Sequence, residues 1–166
     1  MHKAIVAKPD QYQFEDCDTV AKVMGINSLI LQELSLRTGH CNGLDFNLLT
    51  LSEGETGTSL QLCYGRLCSA IAKIGAHPSP EEIPYIDYAS LSERPWAELL
   101  RLMARHPDNT KSAFEKLEAG TILLYLFRVA EELTLCLDKA NEDESDGEGS
   151  ATASKNTARA VLYENV

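Results

Sequence analysis

Apolar residues recur at helical spacing through the first half of the chain, which predicts amphipathic helices. The first predicted helix follows Asp18 or Thr19, either of which can serve as its N-cap, and Gly39 suits its end. Its apolar positions are Val20, Val23, Ile30, Leu31 and Leu34. A second predicted helix begins near residue 48–52 or after Gly57 and runs to about Ile74. Its apolar positions are Leu60, Cys63, Tyr64, Leu67, Cys68 and Ile71.

The second half of the chain continues the helical pattern after a proline-containing connection at residues 76–91. A short helix is predicted after Ser92, with Pro95 in its first turn. Its apolar positions are Trp96, Leu99, Leu100 and Met103. A long last helix is predicted from residue 109 or 110 to about Ala140. Because no alternating pattern of useful length suggests strands, the sequence predicts an all-α bundle of four to five helices.

The most apolar stretch of the chain is Leu117–Leu137, in which residues 122–127 form an unbroken apolar run. A helix with so much apolar surface is buried on most sides. One polar stripe interrupts it, formed by Glu118, Thr121, Tyr125, Arg128 and Glu132 at steps of three and four. Two interpretations remain open: the stripe faces water, or Glu118 and Thr121 line a polar cleft within the bundle.

The predicted organisation is a loose leader at residues 1–17, an all-α domain at 18–140 and an acidic, flexible tail at 141–166. The tail opens with EDESDGE at residues 142–148, and a linker-like GEGSATAS segment follows at 147–154. Residues 156–166 either form one more short helix or continue the tail. The 166-residue length suits a single domain with its own core.

Charge and composition narrow the expected partners. The formal net charge of −10 argues against sequence-independent binding to nucleic-acid phosphates, so no nucleic-acid partner is predicted. No stretch has the roughly 18 unbroken apolar residues that a membrane span needs, and no signal-peptide core is visible. The five cysteines include no CxxC pair and are expected to be reduced thiols. These features predict a cytoplasmic protein with no membrane partner.

Three segments, in order, resemble the landmarks of MazG-like nucleoside triphosphate pyrophosphohydrolases. They are LILQELSLRT at 29–38, LLTLSEGETGTSL at 48–60 and KLEAGTILLYLFRVAEEL at 116–133. In that family the second landmark opens with a GEAGE-type segment and the third carries an ExxD pair. The resemblance implies an all-α, nucleotide-binding homo-oligomer that hydrolyses a nucleoside triphosphate and releases pyrophosphate with Mg²⁺ as its cofactor.

The same resemblance implies the site residues. Glu55 and Glu118 would be the catalytic and metal-binding carboxylates, with Thr58 and Thr121 at the two positions where the family has a second acid. Because threonine hydroxyls are neutral and poor ligands for Mg²⁺, this metal site would be weakened. The implied contacts to the nucleotide phosphates are Arg37, Lys73 and Lys116.

Two alternatives to a hydrolase stay open at this point, so whether the chain is an enzyme is undecided. One is a catalytically inactive relative that binds a nucleotide or a protein without turnover. The other is an acidic helical adaptor of the phage or mobile-element type, in which the EDESDGE run forms part of a protein interface. All versions of the nucleotide hypothesis require residues 55–58 and 118–121 to face one polar pocket.

Overall fold

The computed structural model describes residues 16–35, 45, 47, 51, 54–75, 78–145 and 151–166. Over these residues the chain forms six α-helices and two 3₁₀ turns, and none of them belongs to a strand. The helices are α1 (Cys17–Ser35), α2 (Gly57–Ile74), α3 (Arg94–Met103), α4 (His106–Lys116), α5 (Ala119–Ser145) and α6 (Ala151–Glu164). The 3₁₀ turns are Ile83–Tyr85 and Ala89–Ser92. The predicted all-α class is confirmed, whereas assembly into a homo-oligomer stays a prediction.

The long last helix of the sequence prediction is divided in the structure by a break before α5. Leu117 has a positive φ of 54°, in the left-handed region, and its N–H donates to the Phe114 carbonyl at 3.2 Å. The N–H of Glu118 donates to the Ala113 carbonyl at 3.1 Å. This pair of hydrogen bonds is a Schellman ending, which commonly has glycine at the left-handed position. A helix therefore ends at residue 116 and a new one begins at 119.

The chain divides into two compact units. Unit 1 comprises Met1–Leu62 and Pro107–Phe127, and unit 2 comprises Cys63–His106 and Arg128–Val166. Unit 1 therefore contains α1, the first part of α2, α4 from Pro107 onward and the first part of α5. In its core, Ala21 and Met24 of α1 are packed against the partly buried Cys17, Val20 and Leu62. None of the described helices combines the length and apolarity that crossing a membrane requires.

Unit 2 is built around an aromatic core on α3. Trp96 and Leu99 of α3 and Cys136 of α5 are fully buried there. Tyr163 of α6 is also buried, and its ring lies 6.0 Å from the Trp96 ring, centroid to centroid, at an interplanar angle of 45°. Tilted aromatic pairs at this separation are favourable beyond the area that they bury.

The C-terminal residues differ from the predicted flexible tail. Helix α5 continues through the start of the acidic run to Ser145, and α6 occupies 151–164. Four α6 residues with apolar side chains are buried: Ala158, Ala160, Leu162 and Tyr163. The helical alternative for residues 156–166 is therefore correct, because this short segment has an apolar face that packs. The domain boundaries at residues 17 and 140 stay predictions.

Candidate functional site

The GETGT segment, which the pyrophosphohydrolase hypothesis assigned to metal binding, forms the start of α2. Thr56 precedes the helix, and its Oγ1 accepts from the Ser59 N–H at 3.1 Å. In return, Ser59 Oγ accepts from the Thr56 N–H at 3.3 Å. Two helix-end donors are thus satisfied reciprocally, as in a capping box. Glu55 lies just before this cap and is exposed.

Thr58 lies in the contact between α1 and α2. Its side chain is fully buried, and its Oγ1 lies 3.2 Å from the Oγ of Ser28 in a hydrogen bond in which either hydroxyl can donate. At the neighbouring Gly57, a Cβ atom would stand 2.7 Å from the Ser28 Cα. The two backbones therefore approach closely, and the structure gives Thr58 a packing role against α1.

We expect Gly57→Ala to destabilise the fold, because its methyl group would collide with the α1 backbone. The free energy of unfolding should fall by about 1–3 kcal/mol, the usual cost of overpacking. Gly65→Ala is the matched control in α2, since a Cβ there meets nothing within 4 Å. That variant should gain about 0.5–1 kcal/mol from helix propensity. Urea unfolding followed by circular dichroism measures both, and equal midpoints for the two variants would contradict the close approach.

The second predicted metal segment, residues 118–121, caps α5. The N–H of Thr121 donates to the Glu118 carbonyl at 3.2 Å, and both side chains are partly buried. Between them, Gly120 lies against the end of α1, where a Cβ would come within 3.1 Å of the Ser35 carbonyl oxygen. The segments at 57–58 and 120 therefore both pack on α1, at Ser28 and Ser35. These contacts are seven residues apart, or about 10 Å along the helix.

The predicted site residues are distributed as follows. Unit 1 contains Glu55, Thr58, Lys116, Glu118 and Thr121, while Lys73 belongs to unit 2. Arg37 lies outside the described residues. Within the described part of the chain, no group of three or more His, Cys, Asp or Glu residues is placed to hold a metal ion. The catalytic, Mg²⁺-binding and phosphate-binding roles of these residues stay predictions.

A charged cluster in unit 2, in which Arg159 is buried, joins α5 to α6. The guanidinium group of Arg159 forms an ion pair and hydrogen bond with Asp143, and Lys139 Nζ lies 3.4 Å from the same carboxylate. The Arg159 guanidinium carbon also lies 4.9 Å from the centroid of the Trp96 ring, in a cation–π arrangement. Burial alone would raise the pKa of Asp143, but the hydrogen bonds from Arg159 and Lys139 outweigh it and hold that pKa below 3.8.

An arginine stripe lies on the exposed face of α3 and the turn that follows it. Arg94, Arg101 and Arg105 are seven and four positions apart, so they lie on one side, while Trp96 and Leu99 face the core. Arg101 donates to Glu98 on the same face at 2.8 Å. The sequence interpretation overlooked this stripe; the available signal was three arginines at helical spacing opposite the apolar positions of a short helix.

Comparison with known proteins relates the chain to arginine–tRNA ligases. It is 30% identical over 127 residues to the mitochondrial arginine–tRNA ligase of Saccharomyces cerevisiae, an alignment covering 76% of this chain and 20% of that protein. It is 29% identical over 139 residues to the probable cytoplasmic arginine–tRNA ligase of Schizosaccharomyces pombe, covering 83% and 22%. The arginine–tRNA ligase of Streptococcus uberis is 30% identical over 139 residues, covering 79% and 24%. No protein-family model matches the chain.

These relatives correct the functional predictions. The MazG-like identification and the hydrolase function are wrong, as is the phage-type adaptor, because the relatives are ligases. The exclusion of a nucleic-acid partner is also wrong, because those proteins are named for a tRNA. The chain spans about a fifth of the length of the curated relatives that it matches. It is therefore similar to one part of an arginine–tRNA ligase.

Proposed function

We propose that this chain is a helical tRNA-binding part of an arginine–tRNA ligase and that it binds arginine tRNA. The observation that carries the proposal is the similarity over three quarters or more of the chain to ligases from two yeasts and a bacterium. Attachment of arginine to the tRNA is proposed for the complete ligase, in which this chain contributes to tRNA binding. A cytoplasmic site of action fits the cytoplasmic relative of Schizosaccharomyces pombe.

The arginine stripe on α3 is the proposed contact with the tRNA backbone. Arginine guanidinium groups suit phosphate oxygens because they offer several donors in a planar arrangement. Five of the acidic residues that give the overall charge of −10 are concentrated at positions 142–148, outside α3. By contrast, residues 94–105 contain three arginines and one acid, Glu98.

The test of this proposal is fluorescence anisotropy with a labelled arginine tRNA transcript and the full 166-residue chain. We expect saturable binding with a Kd of about micromolar at low salt, weakening as salt rises. An unlabelled arginine tRNA should compete better than an unrelated tRNA of the same length. Absence of binding, or equal competition by both tRNAs, contradicts the proposed function.

Removing the arginine stripe on α3 should weaken tRNA binding more than removing the same charge elsewhere. In the triple variant Arg94→Ala, Arg101→Ala, Arg105→Ala, we expect at least a tenfold higher Kd. The negative slope of log K against log salt should also become shallower by about 2–3, because each lost phosphate contact contributes nearly one unit. The triple variant Lys22→Ala, Lys111→Ala, Arg128→Ala is the control, since it removes the same charge from exposed positions outside α3. An equal rise in Kd for the two triple variants would show that net charge, rather than the arginine stripe, governs tRNA binding.

A further inference from the structure

Helix α1 has a second apolar face whose side chains are about half exposed. Val23, Ile26, Ile30 and Leu34 recur at steps of three and four, and each is between 45% and 50% exposed. We call these four residues the outer stripe of α1. They lie on the side of the helix away from three buried residues: Ala21, Met24 and Ser28. The helix is therefore apolar on two opposite sides.

A helix with two apolar sides is typical of one covered on both. Single exposed apolar residues are ordinary on a protein surface, but four in one row form a contiguous patch. Exposed Lys22 and Glu33 lie beside the row, and no charged residue lies within it. An apolar centre bordered by charge is the usual composition of a protein–protein contact.

We infer that the outer stripe of α1 docks on the part of an arginine–tRNA ligase that has no counterpart in this chain. This inference rests on the proposed function. The relatives have about four fifths of their length outside the alignment, so a large protein surface exists for the stripe to meet. Because the stripe lacks charge, the surface that receives it is apolar.

The size of the stripe favours this occupant over a second copy of the chain. Four half-exposed side chains supply far less than the roughly 800 Å² per partner that a stable complex between separate molecules buries. A contact between parts of one ligase can be smaller, because a shared chain or neighbouring contacts give it a high effective concentration. The stripe is thus suited to an interface within a ligase.

The experiment compares one double substitution in two settings. Ile26→Asp with Ile30→Asp is introduced into the full chain, and also into a chimera in which this chain replaces the matched 127 residues of the Saccharomyces cerevisiae mitochondrial ligase. In the chain alone, the thermal midpoint should change by no more than about 2 °C, since both positions are exposed. In the chimera, the midpoint should fall by about 5 °C or more, and limited proteolysis should release the chain faster. Ile26→Ser with Ile30→Ser is a milder second variant with the same expected direction.

The control is Phe114→Asp with Leu124→Asp, which places the same charges at exposed apolar positions of unit 1 outside α1. Selective loss in the stripe variants supports docking. Docking is overturned if the thermal midpoint falls equally in the control, or equally in the isolated chain. It is also overturned if the midpoint of the chimera does not fall or if the chimera does not fold. Sedimentation of the isolated chain tests the other occupant, because a dimer that the stripe substitutions dissociate identifies a second copy instead.

The two proposals fail separately in these measurements. Binding of arginine tRNA by the isolated chain depends on the arginine stripe of α3, and the substitutions in α1 should leave its Kd within about twofold. If the isolated chain binds arginine tRNA but the substitutions in the outer stripe of α1 leave the thermal midpoint of the chimera unchanged, docking alone is refuted. If the substitutions in the outer stripe of α1 lower the thermal midpoint of the chimera but the isolated chain does not bind tRNA, the tRNA-binding role is refuted and the contact within the ligase is supported.

Discussion

Replacing Trp96 with alanine should lower the free energy of unfolding by about 3–5 kcal/mol, the usual cost of truncating a buried tryptophan. Trp96 is fully buried on α3, and its ring contacts both the Tyr163 ring and the Arg159 guanidinium group of α6. The truncation would leave a cavity at the point where α3 and α6 meet. Urea unfolding followed by circular dichroism measures the loss.

Tyr85→Ala is the control for Trp96→Ala, because Tyr85 is also aromatic and belongs to unit 2 but is 89% exposed. Its effect should stay within about 0.5 kcal/mol. Amide hydrogen exchange adds a local test. Trp96→Ala should increase the exchange rate of the α6 amides more than that of the α1 amides, because α1 lies in unit 1. Similar unfolding midpoints for the two variants would show that Trp96 does not organise the core of unit 2.

The sequence was sufficient to predict the helical class and the inner side of α3. Its period placed Trp96 and Leu99 on one face, and both are fully buried. The same reasoning was less successful for α1, where three of the apolar positions at helical spacing, Val23, Ile30 and Leu34, are about half exposed. Periodicity identifies an apolar face, but it does not show which of two such faces is covered.

The polar Ser28 interrupts the covered face of α1 beside Ala21 and Met24, so that face gives a weaker apolar pattern than the opposite one. Ser28 is buried there because Gly57 allows the α2 backbone to come close and Thr58 offers a hydroxyl partner. This contact depends on residues thirty positions apart. A pattern within one helix contains no information about such a partner.

The break at Leu117 and the burial of Arg159 depend equally on tertiary structure. A leucine at a left-handed position gives no local signal, because glycine or asparagine is usual there. From sequence alone, a charged residue near the end of an acidic chain is expected to be exposed to water. Arg159 is instead buried between Asp143 and Trp96. Its partner on α5 lies sixteen positions away, across the linker-like segment.

The mistaken family resemblance has a physical explanation in the same residues. The GETGT segment is a helix start in which Thr56 caps, Gly57 permits close packing and Glu55 precedes the cap. The EAGT segment at 118–121 likewise begins a helix that packs through its glycine. Unrelated helical bundles need such starts, so acid–glycine–threonine segments followed by leucine-rich helices resemble one another without shared chemistry.

The ion pair of Arg159 and Asp143 should show strong coupling in a double-mutant cycle. Their side chains are 3% and 20% exposed, so Asp143→Asn would leave a buried guanidinium group without its carboxylate. We expect that variant to lose about 3–5 kcal/mol of unfolding free energy. Arg159→Met should cost less, because Asp143 keeps its contact with Lys139. The double variant should be more stable than the sum of the single losses implies, with a coupling of about 1.5–3 kcal/mol.

The second ion pair of unit 2, Arg66 with Asp138, provides the matched control. It also joins two helices, α2 and α5, but its side chains are 41% and 57% exposed. A cycle of Arg66→Met and Asp138→Asn should therefore give a coupling of only about 0–1 kcal/mol. Equal coupling in the two cycles would contradict the importance of burial at Asp143.

The pH dependence of the Asp143→Asn effect gives the cycle an independent check. The pKa of Asp143 in the folded chain lies below the ordinary value of 3.8, so its carboxylate stabilises the fold fully above that value. This contribution should be lost as the pH falls below about 4 and through the lowered pKa. The difference in unfolding free energy between the native chain and Asp143→Asn should consequently be constant from about pH 5 to 7 and shrink toward pH 3. A difference that grows on acidification would reverse the sign and show that burial, rather than Arg159, controls the pKa of this carboxyl group.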